Sequence, residues 1–157
     1  MTSYSSQGPA SPDRSQRRAV GTDVVAALEH FEVSLAGLRN GIAEIEGSPS
    51  YLMLNDAAPT GETARKYGVA ARDAKDLWVF VDAASAQLAA ARSWFEEHGA
   101  GGSHGVELRR LLEEPRLAVT TGDGSTRAYS VSQILAEIRR RYGAVRAGVT
   151  EIDQLWV

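Results

Sequence analysis

The chain has 157 residues, of which 43% are hydrophobic and 24% are charged, and its formal net charge at pH 7 is −3. These values are typical of one globular domain that is long enough to bury a core. The negative charge gives no long-range attraction to nucleic acid or to an anionic membrane. The chain contains no cysteine, which excludes disulfides and thiolate metal sites.

Two further absences concern the location of the protein. The opening residues, MTSYSSQGPASPDRSQRR, contain no apolar segment of the kind found in a secretory signal. No uninterrupted apolar run approaches the ~20 residues that a membrane-spanning helix needs. We therefore expect a soluble, cytoplasmic protein that does not bind membranes.

Three stretches repeat apolar residues at alternating steps of four and three, the spacing that holds one helix face against a neighbour over many turns. The first repeat runs through Val24, Leu28, Phe31, Leu35, Leu38, Ile42 and Ile45. The second runs through Tyr67, Ala70, Ala74, Leu77, Val81, Ala84, Leu88, Ala91 and Phe95. The third runs through Val131, Leu135, Ile138, Tyr142, Val145, Val149, Ile152 and Trp156. Each repeat predicts one long helix.

The first helix follows a tail at residues 1–12 that is rich in Ser, Gly and Pro and is expected to be disordered. Residues 13–157 are expected to form a single helical-bundle domain. Asp13 and Thr22 are both suitable caps for the start of the first helix. Its end is predicted near Gly47. The apolar run at 51–54 fits either a further helical turn or an extended segment.

The second helix is predicted to begin after the cap Thr60 and to end near His98. It is expected to continue through Gly68, because the apolar repeat passes that residue unbroken. The glycine-rich stretch 98–105 is predicted to be a flexible hinge. A short helix should follow, with Ser103 as its cap and a buried face at Leu108, Leu111 and Leu112.

Residues 117–129 are predicted to form a β-hairpin around the turn 122–124, whose sequence is Gly-Asp-Gly. The third long helix should begin at Ser130, because Gln133 three residues later completes a reciprocal capping box. Its apolar repeat still runs at Trp156. This unfinished repeat suggests a truncated chain with more sequence downstream, or a helix that a partner completes.

The residues beside the apolar repeats favour helices packed on each other within one chain. With Leu28 as position a, the g positions are Ala27, Ser34 and Gly41, whereas zipper dimers usually carry Glu and Lys there. Trp78, Phe80, Trp94 and Phe95 widen the apolar face of the second helix enough to serve two neighbours. We expect a mainly all-α fold: an antiparallel bundle of three long heptad-patterned helices, one short helix and a small hairpin. The sequence leaves open whether the chain forms a homo-oligomer.

The candidates for a metal or phosphate site are weak. His98 and His104 flank the glycine-rich stretch, but a metal site normally needs three or four ligands, and no third has a recognisable spacing. The glycines of 98–105 and of the hairpin turn lack the spacing of a phosphate-binding loop. We therefore predict no metal-binding and no cofactor-binding residue.

The charged residues give no catalytic arrangement. The pairs 96–97 and 113–114 are adjacent carboxylates, which do not converge on one helix face. Asp73 and Asp76 can share a face, but Arg72 and Lys75 beside them make ordinary surface charge the expected role. The run 139–141 holds three arginines that point in different directions, so it predicts a solvated face with a Glu137–Arg141 pair rather than a nucleic-acid site.

These observations predict a non-enzymatic helical-bundle interaction or scaffold protein that acts through an exposed apolar helix strip. Its partner would be another protein or a second copy of the chain. The alternative is a small-molecule sensor or carrier that binds a ligand between its helices, lined by Trp78, Phe80 and Trp94. Core packing is the competing role of those three aromatic residues. No catalytic residue is predicted.

Overall fold

Helices dominate the protein in a computed structural model, which describes residues 14–51 and 61–155, with side-chain surroundings for 23–51 and 72–154. The elements are α1 (Arg14–Glu46), α2 (Gly61–His98), α3 (Ser103–Glu113), β1 (Leu117–Thr120), β2 (Thr126–Tyr129) and α4 (Val131–Leu155). Residues 49–51 are also helical. None of the helices in the described ranges has the length and apolarity to cross a membrane. The predicted mainly helical class with a small hairpin is confirmed.

The ends of α1 follow the sequence signals only in part. The helix begins at Arg14 and is already helical at Thr22, so the later of the two predicted starts is wrong. It ends at Glu46, as the glycine at 47 predicts. Ser48 then donates its hydroxyl to the Ile45 carbonyl at 2.9 Å and accepts the Tyr51 N–H at 3.1 Å. This serine closes one helix and caps the next helical residues.

Helix α2 runs unbroken through Gly68, as predicted. Other sequence predictions fall outside the described residues: the tail at 1–12, the caps Asp13 and Thr60, the segment 52–54, and Trp156.

The turn from α2 to α3 depends on glycine rather than on the predicted serine cap. Gly102 occupies the cap position, with φ +58° and no side-chain cap hydrogen bond, and Ser103 is the first helical residue. Glycine suits this left-handed region because it has no Cβ. A Cβ on Gly105 would lie 2.3 Å from the Ala100 carbonyl oxygen, so the two segments approach too closely for any side chain there.

The hairpin and the start of α4 form as predicted. Strand β1 pairs antiparallel with β2, with Leu117 opposite Tyr129 and Thr120 opposite Thr126. The Ser130 N–H donates to Gln133 Oε1 at 2.8 Å, and the Gln133 N–H donates to Ser130 Oγ at 3.2 Å. This is the reciprocal capping box that the sequence indicates.

The core consists mostly of the residues that the three repeats select. The described repeat positions of α2 and α4 are buried, except for half-buried Phe95 and Tyr142. Phe80 is fully buried and meets Tyr129 edge to face, with 5.4 Å between ring centroids. The buried stripe of α1 is narrower. Its half-buried repeat positions are Phe31, Leu38 and Ile45.

Three side-chain hydrogen bonds between described residues join α1 to α2. They pair Glu32 with Arg92, Arg39 with Ser85, and Glu46 with Trp78. From the first of these contacts to the third, the residue number on α1 rises while that of its partner on α2 falls. The two helices therefore run in opposite directions at these contacts.

Helix α4 lies on another side of α1 and runs in the same direction. A Cβ on Gly41 would lie 2.6 Å from the Tyr142 hydroxyl oxygen, so glycine at this predicted g position admits the tyrosine ring. Nine residues after Gly41, in the helical residues 49–51 that follow α1, Ser50 donates to the Asp153 carboxylate. The missing side chain at Gly41 thus leaves room for the Tyr142 ring to pack against α1.

Candidate functional site

Asp73, predicted to be surface charge, instead lies in a buried ion-pair network between α2 and α4. Its side chain is 6% exposed, and Arg141 Nη1 lies 3.1 Å from Asp73 Oδ1. The same guanidinium reaches Asp76 Oδ2 at 3.6 Å and Glu137 Oε1 at 3.1 Å. The surface prediction for Asp73 is wrong because Arg141 arrives from α4, 68 residues away in sequence, and allows the carboxylate to be buried.

Burial and charge act in opposite directions on this network. Burial raises the pKa of the Asp73 carboxyl, while Arg141 and Arg140 act to lower it. The hydrogen bond from Arg140 holds the pKa of Glu137 below its ordinary value. Asp73 Oδ2 has no hydrogen-bond partner among the described residues. Asp73 is therefore held through Oδ1, which lies 3.1 Å from Arg141 Nη1 and 3.8 Å from Arg140 Nη2.

The network also holds the hairpin in place. The Gly122 N–H at the hairpin turn donates to Asp76 Oδ1 at 2.9 Å. The Arg141 guanidinium carbon lies 4.6 Å from the centroid of the buried Phe80 ring, a cation–π distance. One arginine thus links α2, α4 and, through Asp76, the hairpin, which gives the cluster a structural role.

The arginine run 139–141 is divided between solvent and interior. Arg139 and Arg140 are exposed, while the Arg141 side chain is only 13% exposed. The predicted Glu137–Arg141 pair is confirmed. The predicted solvated face is wrong at Arg141, because three carboxylates surround it at the helix interface.

His98 and His104 come together at the turn between α2 and α3. Their ring centroids lie 5.3 Å apart, and the Trp94 ring stacks on His98 at 3.9 Å. The Trp94 indole N–H donates to the His104 carbonyl oxygen at 3.0 Å. Among residues whose surroundings are described, no group of three or more His, Asp or Glu is placed to hold a metal ion. The contacts among these three side chains stabilise the turn between α2 and α3.

The aromatic residues considered for a ligand pocket have packing roles in this structure. Phe80 is in the core, and Trp78 and Trp94 are half-buried beside it. Both indole N–H groups are used within the protein, by the Glu46 carboxylate and by the His104 carbonyl oxygen.

An open groove of about 500 Å³ runs between α1 and α2. Buried Leu35 and Leu88 form its floor, and exposed Ala36 and Ala89 form its sides. We call this surface the α1/α2 groove. Its remaining lining residues are Glu32, Arg39, Asn40, Ser85 and Arg92. Small side chains on both helices leave space in which another chain can approach.

The charges of the α1/α2 groove are only partly paired. Arg92 forms a two-pronged ion pair with Glu32, and this hydrogen bond raises the pKa of Arg92. Arg39 donates to Ser85 Oγ at 3.4 Å and forms no ion pair with any described residue. The groove therefore carries a cation that can meet an acidic group from outside.

Val33 follows the groove residue Glu32 on α1 without lining the groove itself, and it is 72% exposed, the most exposed of the described large hydrophobic residues. Val33 lies outside the apolar repeat, which selects the buried positions of α1, so the repeat does not point to it. A helical wheel was the available signal: at 3.6 residues per turn, Val33 lies about 140° from Leu28. An apolar β-branched residue at that angle indicates either chance or contact with another chain.

Comparison of the chain with protein-family models, curated proteins and solved structures found no significant match.

Proposed function

We propose that α1, α2 and α4 form an antiparallel three-helix bundle in which the three heptad repeats make the shared seam. Opposite helix directions at the α1–α2 contacts and the burial of most described repeat positions support this arrangement. Small residues in the seam, such as Ala74 and Ala84, favour the close helix approach of such packing.

We propose further that the protein is a non-enzymatic helical interaction protein whose binding surface is the α1/α2 groove. The observation that carries this proposal is an open groove whose floor, Leu35 and Leu88, is apolar. Val33, the residue after the lining residue Glu32, adds an exposed apolar side chain on the same helix. Helices commonly bind other proteins by laying an apolar face into such a groove. The absence of enzymatic activity and the cytoplasmic location stay predictions.

A site-specific crosslink tests this function. A photoreactive benzoylphenylalanine replaces Val33 in the full chain, which is produced in its native organism and irradiated. The matched control places the same group at Ala147, an exposed position on α4. We expect a discrete adduct of defined mass from position 33 and none from position 147.

The adduct counts as specific only if Arg39→Glu, a groove residue six positions further along α1, abolishes it. Equal labelling from positions 33 and 147, or no adduct at all, would contradict an interaction surface at the α1/α2 groove.

A further inference from the structure

Small side chains stand along the α1/α2 groove at positions where long charged ones are common. In helical bundles, long charged side chains often lie beside the apolar seam and cover it. Here Ala36 lines the groove on α1, and Ser85 and Ala89 line it on α2. The chain's own side chains therefore leave the groove open over its apolar floor.

The lining residues of the α1/α2 groove repeat with the spacing of a helix face. They stand at positions 32, 35, 36, 39 and 40 of α1 and at positions 85, 88, 89 and 92 of α2. Residues 32–40 rise about 12 Å along α1, slightly more than two helical turns. A helix laid along the groove places side chains into it at steps of three and four, the usual mode of helix-in-groove binding.

The charges in the α1/α2 groove favour an acidic partner over a basic one. Glu32 is the one carboxylate among the described lining residues, and it already accepts two hydrogen bonds from Arg92. Arg39 forms no ion pair with a described residue, and its hydrogen bond to Ser85 is long, at 3.4 Å. An incoming carboxylate gains Arg39 without breaking an existing pair, whereas an incoming ammonium group meets only the occupied Glu32.

Resting on the proposed function, we infer that the occupant of the α1/α2 groove is an acidic amphipathic helix of another protein. This helix presents apolar side chains to the floor at Leu35 and Leu88, and a Glu or Asp side chain to Arg39. Because Arg39 is exposed, the charge contact should weaken as salt is added.

A displayed library of helical peptides of about four turns tests this chemistry on the full chain. Each peptide keeps leucine at steps of three and four along one face, and the flanking positions are randomised. Selection against the native chain should enrich Glu and Asp at a flanking position, and selection against Arg39→Glu should enrich Lys and Arg there. Arg139→Glu, an exposed position on α4 outside the groove, is the matched control and should still select Glu and Asp.

Fluorescence anisotropy with a selected acidic peptide then locates the binding surface. Ala89→Gln places a longer neutral side chain in the groove and should weaken binding about fivefold or more. Ala90→Gln, at the next exposed residue and outside the lining, should change binding by less than about twofold. Circular dichroism melts identify any variant that is unfolded.

The outcomes separate this inference from the proposed function. Peptides that lose binding to Ala89→Gln without any preference for Glu or Asp overturn the acidic helix and leave the groove as an interaction surface. Self-association of the native chain that Ala89→Gln abolishes replaces the acidic helix by a second copy. An absence of enriched peptides also overturns the acidic helix, and the crosslink from position 33 then decides the proposed function by itself.

Discussion

Helix α2 contacts α4 and α1 through two interfaces of different chemistry. Against α4 it buries Asp73 and Phe80 around Arg141, so charges and apolar groups are both withdrawn from water. Against α1 its ion pair is Arg92 with Glu32, with side chains 30% and 31% exposed. At the α2–α4 interface the buried charges are paired with each other within the chain. At the α1–α2 interface the ion pair stays accessible to solvent, and an open groove lies beside it. This difference is the physical reason for placing binding at α1.

The largest expected effect comes from breaking the closed interface at its arginine. Arg141→Met should cost about 3–5 kcal/mol of unfolding free energy, because Asp73 would stay buried after losing its closest cation. Arg140 lies 3.8 Å from Asp73 Oδ1, but its side chain is 55% exposed and compensates poorly. Urea denaturation measures the change. Arg139→Met, one of the exposed neighbours in the run, is the control and should change stability by less than about 0.5 kcal/mol. Equal effects of the two substitutions would contradict the buried network.

Leucine truncations compare the packing of the two interfaces. Leu135→Ala on α4 should cost about 4 kcal/mol, because the cavity would be enclosed. Leu35→Ala on α1 should cost nearer 2 kcal/mol, because the α1/α2 groove lets solvent or neighbouring side chains fill the space. Thermal or urea unfolding provides both values. A larger cost at Leu35 would show that α1 is as tightly packed as α4.

The ion pair at the open interface should contribute little. Glu32→Gln removes the charge that faces Arg92, and the partial exposure of both side chains limits the loss to below about 1 kcal/mol. The same urea titrations apply. A loss comparable to that of Arg141→Met would mean that the groove excludes water as the α2–α4 interface does.

The smallest effect is a pH dependence with opposite signs inside one network. Folding raises the pKa of Asp73, so its contribution to stability is present below the ordinary value of 3.8 and is lost as the pH rises through the raised value. Folding lowers the pKa of Glu137, so its contribution is present above the ordinary 4.5 and is lost as the pH falls through the lowered value.

Unfolding free energies from about pH 2 to pH 7 for Asp73→Asn and Glu137→Gln separate the two contributions. Relative to the native protein, Asp73→Asn should reduce the decrease in unfolding free energy that occurs as the pH rises toward neutral. Glu137→Gln should reduce the decrease in unfolding free energy that occurs as the pH falls into the acid range. Identical changes in slope would refute the assignment of opposite shifts.

The parts of the fold that could be predicted from the sequence depend on local spacing. The capping box at Ser130 and Gln133 involves residues three apart, and the hairpin is set by strands that flank a short turn. The buried faces follow a repeat that is visible within a few helical turns. Each of these signals lies within a short segment, so no knowledge of distant contacts was needed.

The candidate site depends on contacts between distant residues and could not be predicted in the same way. Position 73 looks like surface charge until Arg141, 68 residues later, is brought beside it. Arg39 and Val33 are ordinary exposed residues until the groove beside them is seen. The cap at Gly102 differs from the predicted serine for another reason: the backbone before α3 takes a positive φ of 58°, which suits glycine, and no side-chain hydroxyl caps the helix.

The same turn has a practical consequence for anyone who modifies the protein. Its glycine-rich sequence looks like a spacer into which a tag or reporter could be inserted. Yet Trp94 holds the His104 backbone, and no atom can be added at Gly105 without striking Ala100. A change at 104 or 105 therefore meets these contacts, whereas a Cβ at Gly101 would meet nothing within 4 Å. An insertion in this turn belongs at Gly101, away from the Trp94 and Ala100 contacts.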